Sequence, residues 1–173
     1  MLRTCPLILP PLRGGPPLLP VGEGKTMTLR AIKHIRLGEA PGQAFDDIVL
    51  EAHDRHLRRK LITTTAGLEV LIDLEKPVFI EDGDHLALED GRHVEVNAAE
   101  EELLEVTGVS PAHMVSLGWH IGNRHLAAQL EWNRILIKPD AVIRDMLLRL
   151  GAKVSLVREQ FEPEHGAYHI HDH

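Results

Sequence analysis

Glu101-Glu102-Leu103-Leu104-Glu105-Val106-Thr107-Gly108-Val109-Ser110-Pro111 decides the fold of the second half of the chain, because its rhythm changes at a marked joint. Glu101 to Val106 is a strand candidate. Ser110-Pro111 then supplies a helix N-cap and a proline at the first helical position, where its missing N–H costs nothing. The spacing predicts a helix over Ala112 to Ile121, stopped by Gly122-Asn123. Leu126 to Ile137 holds two short strands or one bent one. Pro139-Asp140 opens a second helix, Ala141 to Leu150, with Val142, Ile143, Met146, Leu147 and Leu150 at helical spacing and Gly151 as its end. Lys153-Val154-Ser155-Leu156-Val157 alternates as a last strand. The order βαββαβ is the ferredoxin-like split. It places this domain at residues 98–160 and leaves residues 161–173 as a flexible tail.

Working toward the N-terminus, residues 27–97 read as an all-β domain, so the whole chain is α+β. Val70-Leu71-Ile72-Asp73-Leu74 and Val78-Phe79-Ile80 are short apolar runs. Ala66-Gly67, Lys76-Pro77, Asp82-Gly83-Asp84 and Asp90-Gly91 are turn signals between strands. His93-Val94-Glu95-Val96 alternates as a half-buried strand does, and Phe45 to Leu50 is another strand candidate. Glu51 to Lys60 is charge-rich and reads as a solvated face. His53 and His56, three apart, would meet on a helix turn. Arg55, Arg58, Arg59 and Lys60 surround them, and cations repel a metal ion. Residues 1–26 carry Pro10-Pro11, Gly14-Gly15 and Pro16-Pro17, which resist helix and sheet alike. They interrupt the apolar core that a secretory signal requires, so the segment is read as a disordered extension ahead of a start at Met27.

Composition narrows the function. The 173 residues are 43% hydrophobic but only 3% aromatic, so the core is built from Leu, Ile, Val and Ala. The net charge of -7 argues against a nucleic-acid partner, which requires a basic face. An acidic surface attracts cations instead. No apolar run approaches the length of a membrane span, which suits a cytoplasmic protein. The single cysteine, Cys5, excludes an internal disulfide and a thiolate zinc cluster. Any metal site must use histidine and carboxylate, ligands that suit nickel, zinc, cobalt or copper(II).

Twelve histidines are the anomaly. The chain ends Tyr168-His169-Ile170-His171-Asp172-His173, with three imidazoles at alternating positions. In an extended chain His169, His171 and His173 fall on one side and can converge on one ion. A second constellation closes the first helix of the second domain: Trp119-His120-Ile121-Gly122-Asn123-Arg124-His125. His120 is on the helix and His125 lies just past its break. Gly and Asn at a helix end permit a left-handed turn that points His125 outward. At the two-fold axis of a homodimer such a residue appears twice. His34, His85, His93, His113 and His165 have no partner legible in the sequence, although His165 is near enough to the tail to assist.

Gly122-Asn123-Arg124-His125, together with Phe161-Glu162-Pro163-Glu164-His165-Gly166-Ala167-Tyr168-His169 and the histidine-bearing tail, resembles the UreE family of urease accessory proteins over residues 28–173. The resemblance implies a nickel metallochaperone with an N-terminal β domain and a ferredoxin-like metal-binding domain. It implies that His125 is an interfacial Ni(II) ligand in a homodimer, and that His169, then His171 or His173, complete the site. Zn(II) is an alternative cargo by ligand type. The partners implied are a UreG-type GTPase and the complex of urease apoprotein with its other accessory proteins. Some members carry an extra histidine pair before the second helix; Lys138-Pro139-Asp140-Ala141 stands there instead, which implies that this accessory site is missing.

Two other classes compete. A metallo-hydrolase holds its metal on rigid ligands with one position open for water, and the chain has no His-Glu-x-x-His, nucleophile elbow or phosphate loop. A folding chaperone acting through the β domain would need apolar strands to face a client, and those strands are more simply the domain's own core.

Overall fold

The structure is a computed structural model, and it describes residues 28–164. Aliphatic residues at alternating positions build its first sheet from β1 (Leu29–Ile35), β2 (Asp46–Leu50), β3 (His56–Thr63), β4 (Glu69–Phe79), β5 (Asp84–Leu88) and β6 (His93–Ala98). The strand order is β2-β6-β5-β1-β4-β3. The β1–β4 and β2–β6 pairs are parallel and the others antiparallel. Ala31, Ile48, Val70, Ile72, Ile80, Leu86, Val94 and Val96 are wholly buried in one core. The turn between β5 and β6 uses Gly91 at φ 88°, a conformation open to glycine, and Asp90 accepts a hydrogen bond from the Arg92 amide at 3.0 Å.

Two expectations for this half are corrected. Lys76-Pro77 does not divide two strands: β4 runs through it. β1 pairs only with Val70 to Ile72, and the β3–β4 register shifts between Leu57 and Arg59, so little pairing is asked of the proline. Nor is Glu51 to Lys60 simply a solvated face, since Ala52, Arg55 and Leu57 are buried, and His53 and His56 share no α-helical turn. Ala52–Asp54 is one 3-10 turn, His56 opens β3 and stacks on Phe79 at 5.2 Å, and His53 lies beside Glu51 and Asp54. Arg55, between them, is 1% exposed.

The second half is β7 (Glu100–Thr107), α1 (Pro111–Gly122), β8 (Ala128–Leu130), β9 (Ile135–Ile137), α2 (Ala141–Arg149) and β10 (Lys153–Gln160). The antiparallel order β10-β7-β9-β8 is the ferredoxin-like arrangement that the sequence predicts. Ser110 caps α1 by accepting from the His113 amide at 3.2 Å, and Asp140 caps α2 by accepting from the Ile143 amide at 2.9 Å. Each satisfies a backbone donor that the first helical turn leaves free.

Both faces of this sheet's centre are covered, which is why β9 reads as a continuous apolar run. Leu104, Val106, Ile135 and Ile137 pack under Leu117, Ile121, Ile143 and Leu147 of the helices. Leu103 and Leu136 face the other way and meet Ala52 and Phe161. At that junction Glu101, 4% exposed, accepts from the Ala52 amide at 2.7 Å and forms an ion pair with Lys138. Lys138 also reaches Glu51 at 3.6 Å. The position before α2 is thus occupied by an ion pair that ties the two sheets.

Candidate metal site

α1 ends by tightening. The Arg124 amide bonds Ile121 O at 3.0 Å and the His125 amide bonds Gly122 O at 2.9 Å, three residues back in each case. Arg124 folds its guanidinium onto His120 O at 2.7 Å, where a cation complements the carbonyl end of the helix. The left-handed residue at this end is neither Gly122 nor Asn123. Asn123 is right-handed at φ -66°, and His125 takes φ 56°, alone among the described non-glycine residues in doing so. Histidine tolerates this region better than most side chains. The turn sets the His125 side chain in solvent.

His120 is half-buried and lies edge-on to Trp119, ring centroids 5.0 Å apart. Trp119 itself is 62% exposed, and Val115, one turn earlier, is 74% exposed. Val115 also lines an open, largely apolar hollow with Pro111, Met114, Gly118, Leu130, Trp132 and Ile135. Among the described residues no group of three His, Cys, Asp or Glu is arranged to hold a metal ion. His120 and His125 therefore belong to no such group within the described part of the chain. His169, His171 and His173 lie outside the described residues, as does His165.

The base of the tail is described, and it is held. Phe161 is 1% exposed in the junction between the sheets. The Glu162 amide donates to Gln129 Oε1 at 2.8 Å, and the Glu164 amide donates to Ala128 O at 2.8 Å. As numbering rises from Glu162 to Glu164 it falls from Gln129 to Ala128, so residues 162–164 run antiparallel to β8. Arg55, in the bend before β3, clasps it by donating to Phe161 O and, at 2.6 Å, to Glu162 Oε1. Burial is the largest influence on the Glu162 carboxyl and raises it above the ordinary glutamate range, with Asp82 and Glu81 adding to the rise against the pull of Arg55.

The sequence reading missed Arg55, Gln129 and Glu162. The only signal was Phe161, an apolar residue placed after a polar strand end. Four of the five histidines without a legible partner have one here, the fifth, His165, lying outside the described residues. His34 Nε2 lies 2.6 Å from Asp84, and His85 and His93 meet edge-on at 5.0 Å. His113 Nδ1 accepts from the Val109 amide at 3.1 Å, which puts its proton on Nε2, facing Leu150 O at 3.0 Å. These four serve the fold.

Residues 26–99 match the family model of the UreE urease accessory protein N-terminal domain, and residues 101–173 match that of its C-terminal domain. The chain is 50% identical over 140 residues to urease accessory protein UreE of Mesorhizobium japonicum, covering 80% of this chain and 71% of the relative. It is 52% identical over 140 residues to urease accessory protein UreE 1 of Brucella suis, covering 80% and 86%. It is 48% identical over 139 residues to UreE of Rhizobium meliloti, covering 79% and 90%. No described helix is long and apolar enough to cross a membrane. By both family models and these relatives, the chain belongs to the UreE family of urease accessory proteins.

Proposed function

We propose that the protein is a homodimeric nickel carrier that delivers Ni(II) for assembly of the urease active site and catalyses no reaction of its own. The observation that carries this reading is His125, exposed on a left-handed helix end, with the base of a histidine-bearing arm held against β8. One His125 per protomer, brought together across a two-fold axis, supplies two imidazoles. The exposed Val115 and Trp119 on the same helix are suited to bury against their copies. His169, with His171 or His173, adds ligands, and His120 is the reserve ligand on the helix. Imidazole suits nickel and zinc alike, so Zn(II) is the competing cargo. A site half on a surface and half on an arm opens by releasing the arm, which fits handover to a UreG-type GTPase and to the complex of urease apoprotein with its accessory proteins, in the cytoplasm.

Calorimetric titration of Ni(II) and Zn(II) into wild type and His125→Ala tests the site, with loss of the tightest binding step expected in the variant. Equal affinities would overturn it. Hydrolase assays with and without nickel separate the carrier, expected to be inactive, from a His-metal hydrolase. A peptide-binding assay separates it from a general folding chaperone.

A further inference from the structure

We propose that His85 on β5 and His93 on β6, besides packing ring on ring, form a metal site of their own in the first sheet, which takes one late first-row divalent cation such as Zn(II), Cu(II) or Ni(II). None of its residues belongs to the His125 turn or to the arm, so the site stands whether or not His125 binds nickel. Antiparallel pairing sets Glu95 opposite His85 and His93 opposite Ala87. Residues directly opposite share a face, as do residues two apart on one strand, so His85, His93 and Glu95 lie on one side of the sheet. It is the side away from the core residues Leu86, Val94 and Val96, yet both histidines are only 7% exposed. His93 Nε2 lies 3.3 Å from the carbonyl of Gly42, which can only accept, so in the neutral ring the proton is on Nε2 and Nδ1 carries a lone pair. Metal-binding histidines are commonly held in this way, the far N–H given to a backbone carbonyl. His85 Nδ1 is buried and has no hydrogen-bond partner. A buried nitrogen left so is costly, and a bound ion answers it.

The spacing fits one shared ion. An imidazole bound at about 2.0–2.1 Å has its ring centre about 3.2 Å from the metal, so two such rings at square to tetrahedral angles have centres about 4.5–5.2 Å apart. The His85 and His93 centroids are 5.0 Å apart, with the planes at 66°. The last torsion of histidine is soft, so turning both lone pairs toward one point asks little of the backbone. Two imidazoles are the ligands as the side chains stand. Water fills the remaining positions, and half-buried Glu95, across from His85, can turn to add a carboxylate. Positive neighbours do not block the ion. Arg92 is turned onto the Phe45 ring at 3.7 Å and paired with Asp90 at 2.6 Å, and Lys33, opposite Ala87, is exposed. The segment from β1 to β2 touches both strands, through the Leu37 amide on Asp84 at 2.8 Å and the Phe45 amide on His93 O at 2.8 Å, and is largely exposed in between. Its opening, rather than a parting of strands, admits the ion.

The test uses the full chain and Zn(II) alone, with the histidine ring nitrogens followed by NMR so that each residue reports for itself. The Nδ1 signals of His85 and His93 should move together, with one shared midpoint. In His125→Ala that midpoint should stay where it is. His93→Gln keeps an N–H for Gly42 O and removes the ligand, so the His85 midpoint should rise at least about ten-fold, the loss that removing even an outer partner brings. Where the amide spectrum shows that His93→Gln does not fold, the wild-type and His125→Ala titrations decide alone. Rings of His85 and His93 unmoved by a large excess of Zn(II), His85 moving without His93, a response lost in His125→Ala, or a His85 midpoint unchanged in folded His93→Gln would each overturn the site. Movement of the pair with none at His125 would support this site while sinking the one at the helix end.

Discussion

Replacing His125 by glycine should remove the tight metal site and, in the same step, stabilise the metal-free protein. The two effects have different sources. His125 is exposed, so its imidazole contributes little packing, but its backbone is left-handed at φ 56°. A side chain in that region costs roughly 1–2 kcal/mol relative to glycine. Glycine gives back about 0.5–1 kcal/mol through the greater freedom of its unfolded chain. The net expectation is a gain of about 0.5–1 kcal/mol, or roughly 1–4 °C in melting temperature for a chain of this size. His125→Ala keeps the strained geometry, and alanine is less at ease there than histidine, so that variant should be slightly less stable than wild type. Urea unfolding of the three proteins, chelator-treated and at equal protomer concentration because dimer stability depends on it, gives the ranking Gly above His above Ala. Nickel calorimetry on the same samples should show the tightest step lost in both variants. If the glycine variant is the least stable of the three, the left-handed turn does not exist in solution. If it binds nickel as wild type does, His125 is not the ligand.

Changing His169, His171 and His173 to alanine should leave a protein that binds nickel more weakly and releases it faster; equal off-rates would leave His120 as the next ligand to test. Nickel affinity should fall as pH drops through roughly 6.5, where protons compete for imidazole nitrogen, and calorimetry at about pH 7.5 and 5.5 checks it. Phe161→Ala should lower stability by about 3 kcal/mol in denaturant unfolding, because the ring is 1% exposed between the sheets. Arg134 bonds Glu131 at 2.7 Å, Glu159 at 2.8 Å and Glu105 at 3.1 Å, and its hydrogen bond is the main cause that holds the Glu131 carboxyl below its ordinary range. A depressed carboxylate stabilises the fold above its unfolded pKa and loses that contribution as pH falls through its folded value. Arg134→Met should therefore cost about 1–3 kcal/mol at pH 7, with the deficit shrinking below about pH 4; a deficit equal at both pH values would refute the ion-pair account.

What the sequence made legible follows from how local each cause is. The βαββαβ order could be read because Ser110, Pro111, Asp140 and Gly151 act within a turn of their own positions, and each sits at a helix boundary in the structure. His125 could be singled out because a helix break beside a histidine is a local pattern, though the residue that turns left-handed was misassigned to its neighbours. That choice depends on hydrogen bonds from Arg124 and His125 back into the last turn, which no residue type dictates alone. Pro77 misled because a proline is a breaker only where a strand has partners to lose, and pairing is a property of the sheet. Arg55 misled most. Among Arg58, Arg59 and Lys60 its charge looks like one more solvated cation, and nothing within a few residues says otherwise. Its burial is caused by Phe161 and Glu162, more than a hundred residues on. Residues that join two sheets are recruited from distant parts of the chain, so their role is fixed only when both sheets are in place. That is also why the base of the arm, rather than the histidines at its end, was the part of the candidate site hidden from the sequence.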